Sequence, residues 1–387
     1  MMKRRVSGRL VRCSGGYRAF IPEPLPPKLH FTPSLLRSLS DADRFIGQLA
    51  AEGHRLPNPH LLMRPFLKRE AVLSSRIEGT QATLGELLAA DAGATVARSP
   101  DDLKEVGNYV AALEHGIKRL GSLPLSLRLV TEVHKNLMHG VRGEHATPGE
   151  FRRSQNWIGT AGCTLQNASY IPPPPDHLMG CLGKWENFLH ARELPPLIQA
   201  ALMHYQFEAI HPFLDGNGRV GRAMITLFLV ERDILPTPLL YLSAFFDATR
   251  QEYYDRLQAV SKHAAWESWA EYFLNGIARM SEDALSRARR INALVEQWRR
   301  MLTEARSKTA MALVDLLAEN PYWTTNKASE RLGVAFTTAQ RAIDKLQKLD
   351  ILHQAGNAKR DRVYCASPIM TILDEPPMLL PKGRTAD

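Results

Sequence analysis

Residues 211–222 read HPFLDGNGRVGR, with the apolar run ALMHYQFEAI before them and a second apolar run, Met224 to Val230, after them. Asp215-Gly216-Asn217-Gly218 between two such runs predicts a tight turn that opens a helix over Arg219–Val230. Two glycines let the backbone approach a ligand with no Cβ in the way, and the helix N-terminus adds partial positive charge, so the turn is a candidate anion site. Arg219 and Arg222, three apart, share a face of the first turn with no acidic neighbour in sequence. Two guanidinium groups there suit a polyphosphate. Asp215 can offer magnesium a hard oxygen. His211, before the turn, is a base titrating near neutrality. Each residue alone has a bland reading as a helix-end histidine, a plain turn or a solvated arginine. Within twelve residues, the combination points to phosphate chemistry.

Outward from this segment the chain reads as mainly helical. FIPEPLPPK is an extended strap, because proline fixes φ and removes a donor. A helix follows over 32–51, and another is framed by Pro65 and Gly79. The next spans about 83–92, with Thr83 and Glu86 as a capping box, and others span about 100–121 and Ser126–Met138. Residues 149–175 alternate apolar and polar side chains around Gly159 and Gly162, as a short hairpin would, and end in four prolines. Helices resume at about 176–191 and 195–210 and continue beyond the motif to about 306, the last with Ile291, Leu294, Val295, Trp298 and Leu302 on one face. From about Thr309 the pattern changes to helix, short helix, Gly333, helix and two short strands, which reads as a winged helix-turn-helix.

The 387 residues are 44% hydrophobic and 23% charged, the composition of a folded globular protein of two or three domains. No apolar stretch is long enough for a bilayer, and the basic start lacks the apolar core of a secretory signal, so a cytoplasmic protein without a membrane partner is expected. Cys13, Cys163, Cys181 and Cys365 form no C-x-x-C pair, which indicates neither a zinc site nor a disulfide framework. The net charge of +9 is uneven: residues 1–18 hold six Lys/Arg and no acid, and residues 324–364 hold eight basic and four acidic side chains. Such ends suit a nucleic acid but are more often just solvated.

The run 211–222 resembles the signature of the Fic family, H-x-F-x-[DE]-G-N-G-R-x-x-R, at every defined position. ALMHYQFEAI, FIPEPLPP and EVGNYVAAL are also similar to segments of its bacterial members. The resemblance implies a mainly α, Fic-type helical core with a β-hairpin flap, plus a small C-terminal winged helix-turn-helix domain. It implies an arm at 1–16, an N-terminal helical region at 17–122 with an inhibitory helix at about 65–79, and a catalytic core at 123–260. A helical connector would span 261–306, the winged module 307–373 and a tail 374–387. The implied activity is transfer of AMP from MgATP to a Ser, Thr or Tyr hydroxyl of a target protein or of the chain itself. His211 would deprotonate that hydroxyl, and Asp215 would hold Mg²⁺ on the α- and β-phosphates. Asn217 and the amides of Gly216 and Gly218 would hold the α-phosphate, and Arg219 and Arg222 the β- and γ-phosphates. The flap, about 152–171, would pair with an extended piece of the target, with Ile158, Leu165, Tyr170 and Ile171 lining it. A packed hairpin is an equally good reading of those four residues.

Ser74-Ser-Arg-Ile-Glu78-Gly79 resembles the family's inhibitory motif, [ST]-x-x-x-E-[GN]. A carboxylate brought to Arg222 would keep the γ-phosphate out. Removal of AMP by the same glutamate is a second expectation. In the C-terminal module, a helix over Phe336–Leu349 would present Thr337, Thr338, Gln340, Arg341 and Lys345 to DNA, with Lys359, Arg360 and Arg362 of the following turn near phosphates. The competing readings are a protein-contact module, a homodimer contact, and a DNA-binding regulator whose core only senses nucleotide. An intact His211 favours the enzyme, since a sensor needs the arginines but no base.

Overall fold

Helix-forming runs broken by Pro, Gly and capped Ser or Thr dominate the chain, and the structure, a computed structural model, is accordingly mainly helical. It describes residues 7–379 apart from 56–58, 97–98, 143–145, 161, 305–306 and 357–360. A hairpin, β1 (Gly8–Arg12) and β2 (Arg18–Pro22), comes first, followed by α1 (Pro33–Arg55), α2 (Pro59–Ile77), α3 (Leu84–Asp91), α4 (Pro100–Leu120) and α5 (Leu127–Leu137). After an irregular stretch come α6 (Pro175–Leu189), α7 (Pro196–Ile210), α8 (Asn217–Glu231), α9 (Ser243–Ala248), α10 (Arg250–His263) and the long α11 (Trp266–Glu304). The C-terminal part holds α12 (Lys308–Leu317), β3 (Tyr322–Thr324), α13 (Thr325–Leu332), α14 (Phe336–Lys348), β4 (His353–Ala355), β5 (Val363–Cys365) and α15 (Ser367–Asp374).

Burial follows the sequence pattern. α7 is buried on every side over Leu197–Phe207, which is why its apolar residues show no face. It packs on α8, α6 and α11, while α8 is also touched by α2, α4 and α5. The helix that begins at the glycine turn is therefore the centre of the molecule. α1 runs along α11 with Leu35, Ile46 and Leu49 buried, tied to it by Thr32 on Glu271 at 3.3 Å and by Arg289 on Glu52 at 3.2 Å.

Three expectations need correction. The helix expected to start at Pro65 starts at Pro59, and Pro65 lies inside it; six residues of helix precede it, so its ring costs one ladder bond near the end rather than the middle. Residues 8–12, assigned to a solvated arm, pair with 18–22 in register Gly8 to Pro22 through Arg12 to Arg18. The apolar run Ala19-Phe20-Ile21 is buried and holds this hairpin to the core. Among the described residues the hairpin expected over 152–171 is reduced to one antiparallel bridge, Ile158 with Tyr170, two hydrogen bonds of 2.9 and 3.1 Å.

In the C-terminal part the three strands form an antiparallel sheet ordered β3-β5-β4 beside α12, α13 and α14. This part rests on α2 and α3. Glu319 takes Arg64 at 2.5 Å and Arg331 at 3.1 Å, Asn320 Nδ2 donates to the Leu88 carbonyl at 3.0 Å, and Thr324 Oγ1 donates to that of Ala92 at 3.1 Å. The start of the expected tail is docked as well: the Glu375 carbonyl accepts from Arg69 at 2.8 Å and from Arg287 at 3.0 Å.

Candidate active site

α7 ends at Ile210, and His211 turns the chain in left-handed backbone, φ 49°. That conformation costs a non-glycine residue about 1 kcal/mol or more. The contacts around it offset the cost. The His211 N–H donates to the Phe207 carbonyl at 2.9 Å, and the His211 carbonyl accepts from Arg152 Nε at 2.9 Å and Asn156 Nδ2 at 3.2 Å. The half-buried ring places Nδ1 3.3 Å from the Glu208 carbonyl. A carbonyl only accepts, so Nδ1 carries the proton and Nε2 keeps its lone pair. Burial pushes the pKa of this imidazole down to about 4, leaving it neutral and able to take a proton.

The loop that follows is braced from two directions. Asn217 closes it internally, its Oδ1 accepting the Phe213 N–H and its Nδ2 donating to the Phe213 carbonyl, both at 2.8 Å. Its amide is thus spent on the turn rather than aimed at a ligand. His134 of α5 stacks on Phe213 with centroids 3.7 Å apart, accepts the Gly149 N–H at 2.8 Å and so donates through Nε2 to the Asp215 carbonyl at 3.1 Å. Gly216 is left-handed, φ 76°, and a Cβ there would lie 2.8 Å from Met138 Sδ, so both backbone and space require glycine.

α8 begins at Asn217, two residues earlier than expected. Its first-turn amides have no carbonyl one turn back to bond. Arg219 is buried, and among the described residues its Nε and one terminal nitrogen have no hydrogen-bond partner. Its nearest acids stand off, Glu105 of α4 at 4.0 Å and Asp215 at 3.8 Å. Arg222 is engaged instead through Nε and one terminal nitrogen, by Ser74 Oγ at 2.8 Å, the Ser74 carbonyl at 2.9 Å and Glu78 Oε1 at 2.7 Å. Glu78 Oε1 also lies against Gly218, in the space a Cβ of that residue would need. Burial works against both charges of the pair. Their mutual attraction outweighs it, holding Glu78 below the usual carboxylate range and Arg222 above the usual guanidinium range. Gly79, φ 100°, ends the turn that delivers Glu78. Beside them Glu208 keeps an unbonded buried oxygen, and burial, helped by Glu78, pushes its pKa up to about 7.

The site thus gathers His211, Asp215, Gly216, Gly218, Arg219, Arg222, Ser74, Glu78 and Gly79 in one place. The four residues expected to line the flap divide. Ile158 is exposed, Leu165 is half-buried, and Tyr170 points inward, donating to the Ala209 carbonyl at 2.8 Å beside Phe20. Ile171 uses its carbonyl on the Phe20 N–H at 2.8 Å. Tyr170 and Ile171 therefore anchor the segment rather than line it, and Trp157, 42% exposed, stands beside Ile158 instead. Arg152, Asn156, His134, Glu105 and Glu208 were missed because their partners lie far away in sequence. Only the polar run RRSQN, 152–156, next to an apolar flank hinted at the first two.

On α14, Thr337 and Arg341 are exposed and Thr338 and Lys345 half-buried. Gln340 is occupied, its Oε1 accepting from Thr325 Oγ1 at 2.8 Å and its Nε2 donating to Asp344 at 2.7 Å. Arg362 is exposed, and Lys359 and Arg360 lie outside the described residues. Among the described residues no group of three His, Cys, Asp or Glu could hold a metal. The half-exposed carboxylate of Asp215, with Oδ1 accepting the Gly216 N–H at 2.6 Å, fits a magnesium ion that takes one carboxylate and completes its shell with phosphate oxygens and water.

Residues 36–118 match the model described as the Fic/DOC family N-terminal region, and residues 124–229 match that of the Fic/DOC family. The chain carries Fic/DOC family domains. The chain is similar to the protein adenylyltransferase Fic of Drosophila virilis, 29% identical over 143 residues, 36% of this chain and 27% of the relative. The protein of the same description from Culex quinquefasciatus is 30% identical over 141 residues, 36% of this chain and 25% of the relative. The chain thus spans about a quarter of the length of the curated relatives it matches. A crystal structure of a Fic family protein from Desulfovibrio desulfuricans G20 superposes with a TM-score of 0.60 over 88% of this chain and 98% of that one, at 21% identity, so the Fic fold extends over most of the molecule. Among the described residues no helix is long and apolar enough to cross a membrane.

Proposed function

We propose that the protein transfers AMP from MgATP to a hydroxyl of a target protein or of itself, and that Glu78 restrains this activity. One observation carries the reading: a neutral imidazole with Nε2 bare shares a site with the amide-rich start of α8 and with Arg219, a buried guanidinium whose Nε and one terminal nitrogen are unspent among the described residues. Unspent buried donors are costly unless an anion takes them. The triphosphate of ATP is such an anion, and the adenylyltransferases resembling this chain point to it.

In this mechanism Nε2 of His211 accepts the proton of the target hydroxyl as its oxygen bonds to the α-phosphorus. The bond from that phosphorus to the bridging oxygen of the β-phosphate breaks, and pyrophosphate leaves. The first-turn amides of α8 stabilise charge on the α-phosphate, and Arg219 and Arg222 hold the departing phosphates. Asp215 would hold magnesium, which neutralises phosphate oxygens when bound. Glu78 restrains the reaction by occupying Arg222 and the space over Gly218.

Incubation with α-³²P-ATP tests this. The Glu78→Gly chain should incorporate at least about tenfold more label than the native chain, the factor expected for removing a charge-assisted contact of about 1.5–3 kcal/mol. His211→Ala should abolish incorporation. A folded Glu78→Gly chain that binds MgATP yet labels neither itself nor any protein would sink the transferase reading in favour of a nucleotide-sensing regulator. The geometry supports the transferase over that regulator, since Gln340 on the expected DNA-reading face is already occupied and Asp344 stands beside it.

A further inference from the structure

We propose that Arg152 is a positioning residue that aims His211 and, through the same guanidinium, ties the target-presenting segment to it; this rests on the transferase reading above. Arg152 is 3% exposed, and among the described residues no carboxylate pairs with it. Its donors go to carbonyls instead: Nε to His211 at 2.9 Å, one terminal nitrogen to Pro173 at 2.5 Å and Ile210 at 3.4 Å, the other to Ser154 at 3.2 Å. Its backbone N–H reaches the Pro212 carbonyl at 2.9 Å.

A buried guanidinium without a counter-charge is an expensive way to fill space, and burial pushes its pKa down to about 10. Capping the end of α7 explains the bonds to Ile210 and His211, because a cation suits a helix C-terminus. It does not explain the others. Ser154 and Pro173 are the two roots of the segment closed by the Ile158–Tyr170 bridge. One planar fork therefore holds both roots of that segment and the backbone of the left-handed histidine. A shift of the segment is a shift of the base. Lysine, a point charge on a flexible stem, cannot span the same carbonyls.

The test uses the full chain with Glu78→Gly as reference and adds Arg152→Lys or Arg152→Ala. kcat and KM are read by label incorporation, MgATP affinity by calorimetry, fold by thermal melting, and the His211 ring by ¹⁵N NMR. Expected are a fall in kcat of about 100-fold, the scale of a 1 Å misplacement, MgATP affinity within about twofold of the reference, and partial recovery of Arg152→Ala by added guanidinium. The His211 ring should change from a single Nδ1–H tautomer to a mixture. A kcat and tautomer unchanged in both variants would overturn the proposal, as would loss of MgATP affinity and melting temperature in step with kcat while the tautomer stays single. If Arg152→Ala does not fold, Arg152→Lys carries the comparison. If the reference itself transfers no label, the transferase reading fails, and the NMR result still decides whether Arg152 aims the ring.

Discussion

Three imidazoles, those of His134, His204 and His211, are held neutral inside the fold. Burial pushes His134 and His211 down to about 4 and His204 to about 3. His204, which carries no proposed chemistry, donates to the Gly221 carbonyl at 3.2 Å and accepts from the Tyr253 hydroxyl at 2.8 Å. The sign follows from which state takes protons first. The unfolded chain protonates these residues near 6.5 and the folded one only far below, so stability is fully present above about 6.5 and is lost as pH falls towards 4. Urea titrations at pH 7 and pH 5 should differ by roughly 2–4 kcal/mol, less than the three imidazoles alone would give because the raised Glu208 carboxyl gains stability as it protonates over the same window, and His204→Gln should flatten part of that slope. An equal stability at the two pH values would contradict the burial. Gly216→Ala should cost about 1–3 kcal/mol, since it adds left-handed strain to a clash with Met138, and a urea melt reads it directly. At this scale the twelve-residue motif was legible because its parts are neighbours in the chain. Arg152, Asn156 and His134 were not, since they act on backbone 59, 55 and 81 residues away.

Among the elements, those with chemical punctuation were readable. Thr83 caps α3 with both arms of the box, Oγ1 accepting the Glu86 N–H at 3.2 Å and Glu86 accepting the Thr83 N–H at 2.9 Å. Thr83→Ala should cost about 1 kcal/mol and speed amide exchange across Leu84–Asp91 about fivefold, a change confined to that helix. Where punctuation misled, a tertiary contact decided. Pro65 looks like a start, yet α2 begins earlier because Pro59 suits a first position as well and Leu62 and Phe66 bury on one face across the ring. The alternation at 149–175 looks like strands, but Arg152, Asn156 and Gln155 donate side-chain hydrogens to the carbonyls of this segment and its neighbours, leaving a single bridge. Short pieces such as β1 and β2 were hidden because five residues beside a glycine turn carry little periodic signal.

For the whole molecule, the helical class followed from periodicity, but the seating of the C-terminal part could not, because its contacts are a few side chains placed on carbonyls. Two of these contacts sit on α2, those of Arg64 and Arg69, the second five residues before Ser74. Arg69, 6% exposed and 5.0 Å over the Tyr241 ring, reaches the Glu375 carbonyl, while Ser74 holds Arg222. Arg69→Ala and Ser74→Ala, combined in a double-mutant cycle by urea melts, should show a coupling of at least about 0.5 kcal/mol. Additive effects would mean that the two grips act separately.

The geometry of that helix has a mechanical consequence. Side-chain atoms ride about 5 Å from its axis, so a roll of only ~20° sweeps them by nearly 2 Å, more than the slack in either hydrogen bond that Arg222 donates to Ser74. A twist of the rod at Arg69 thereby loosens the grip at Ser74, so the Arg222 site and the carboxy-terminal part share one axle.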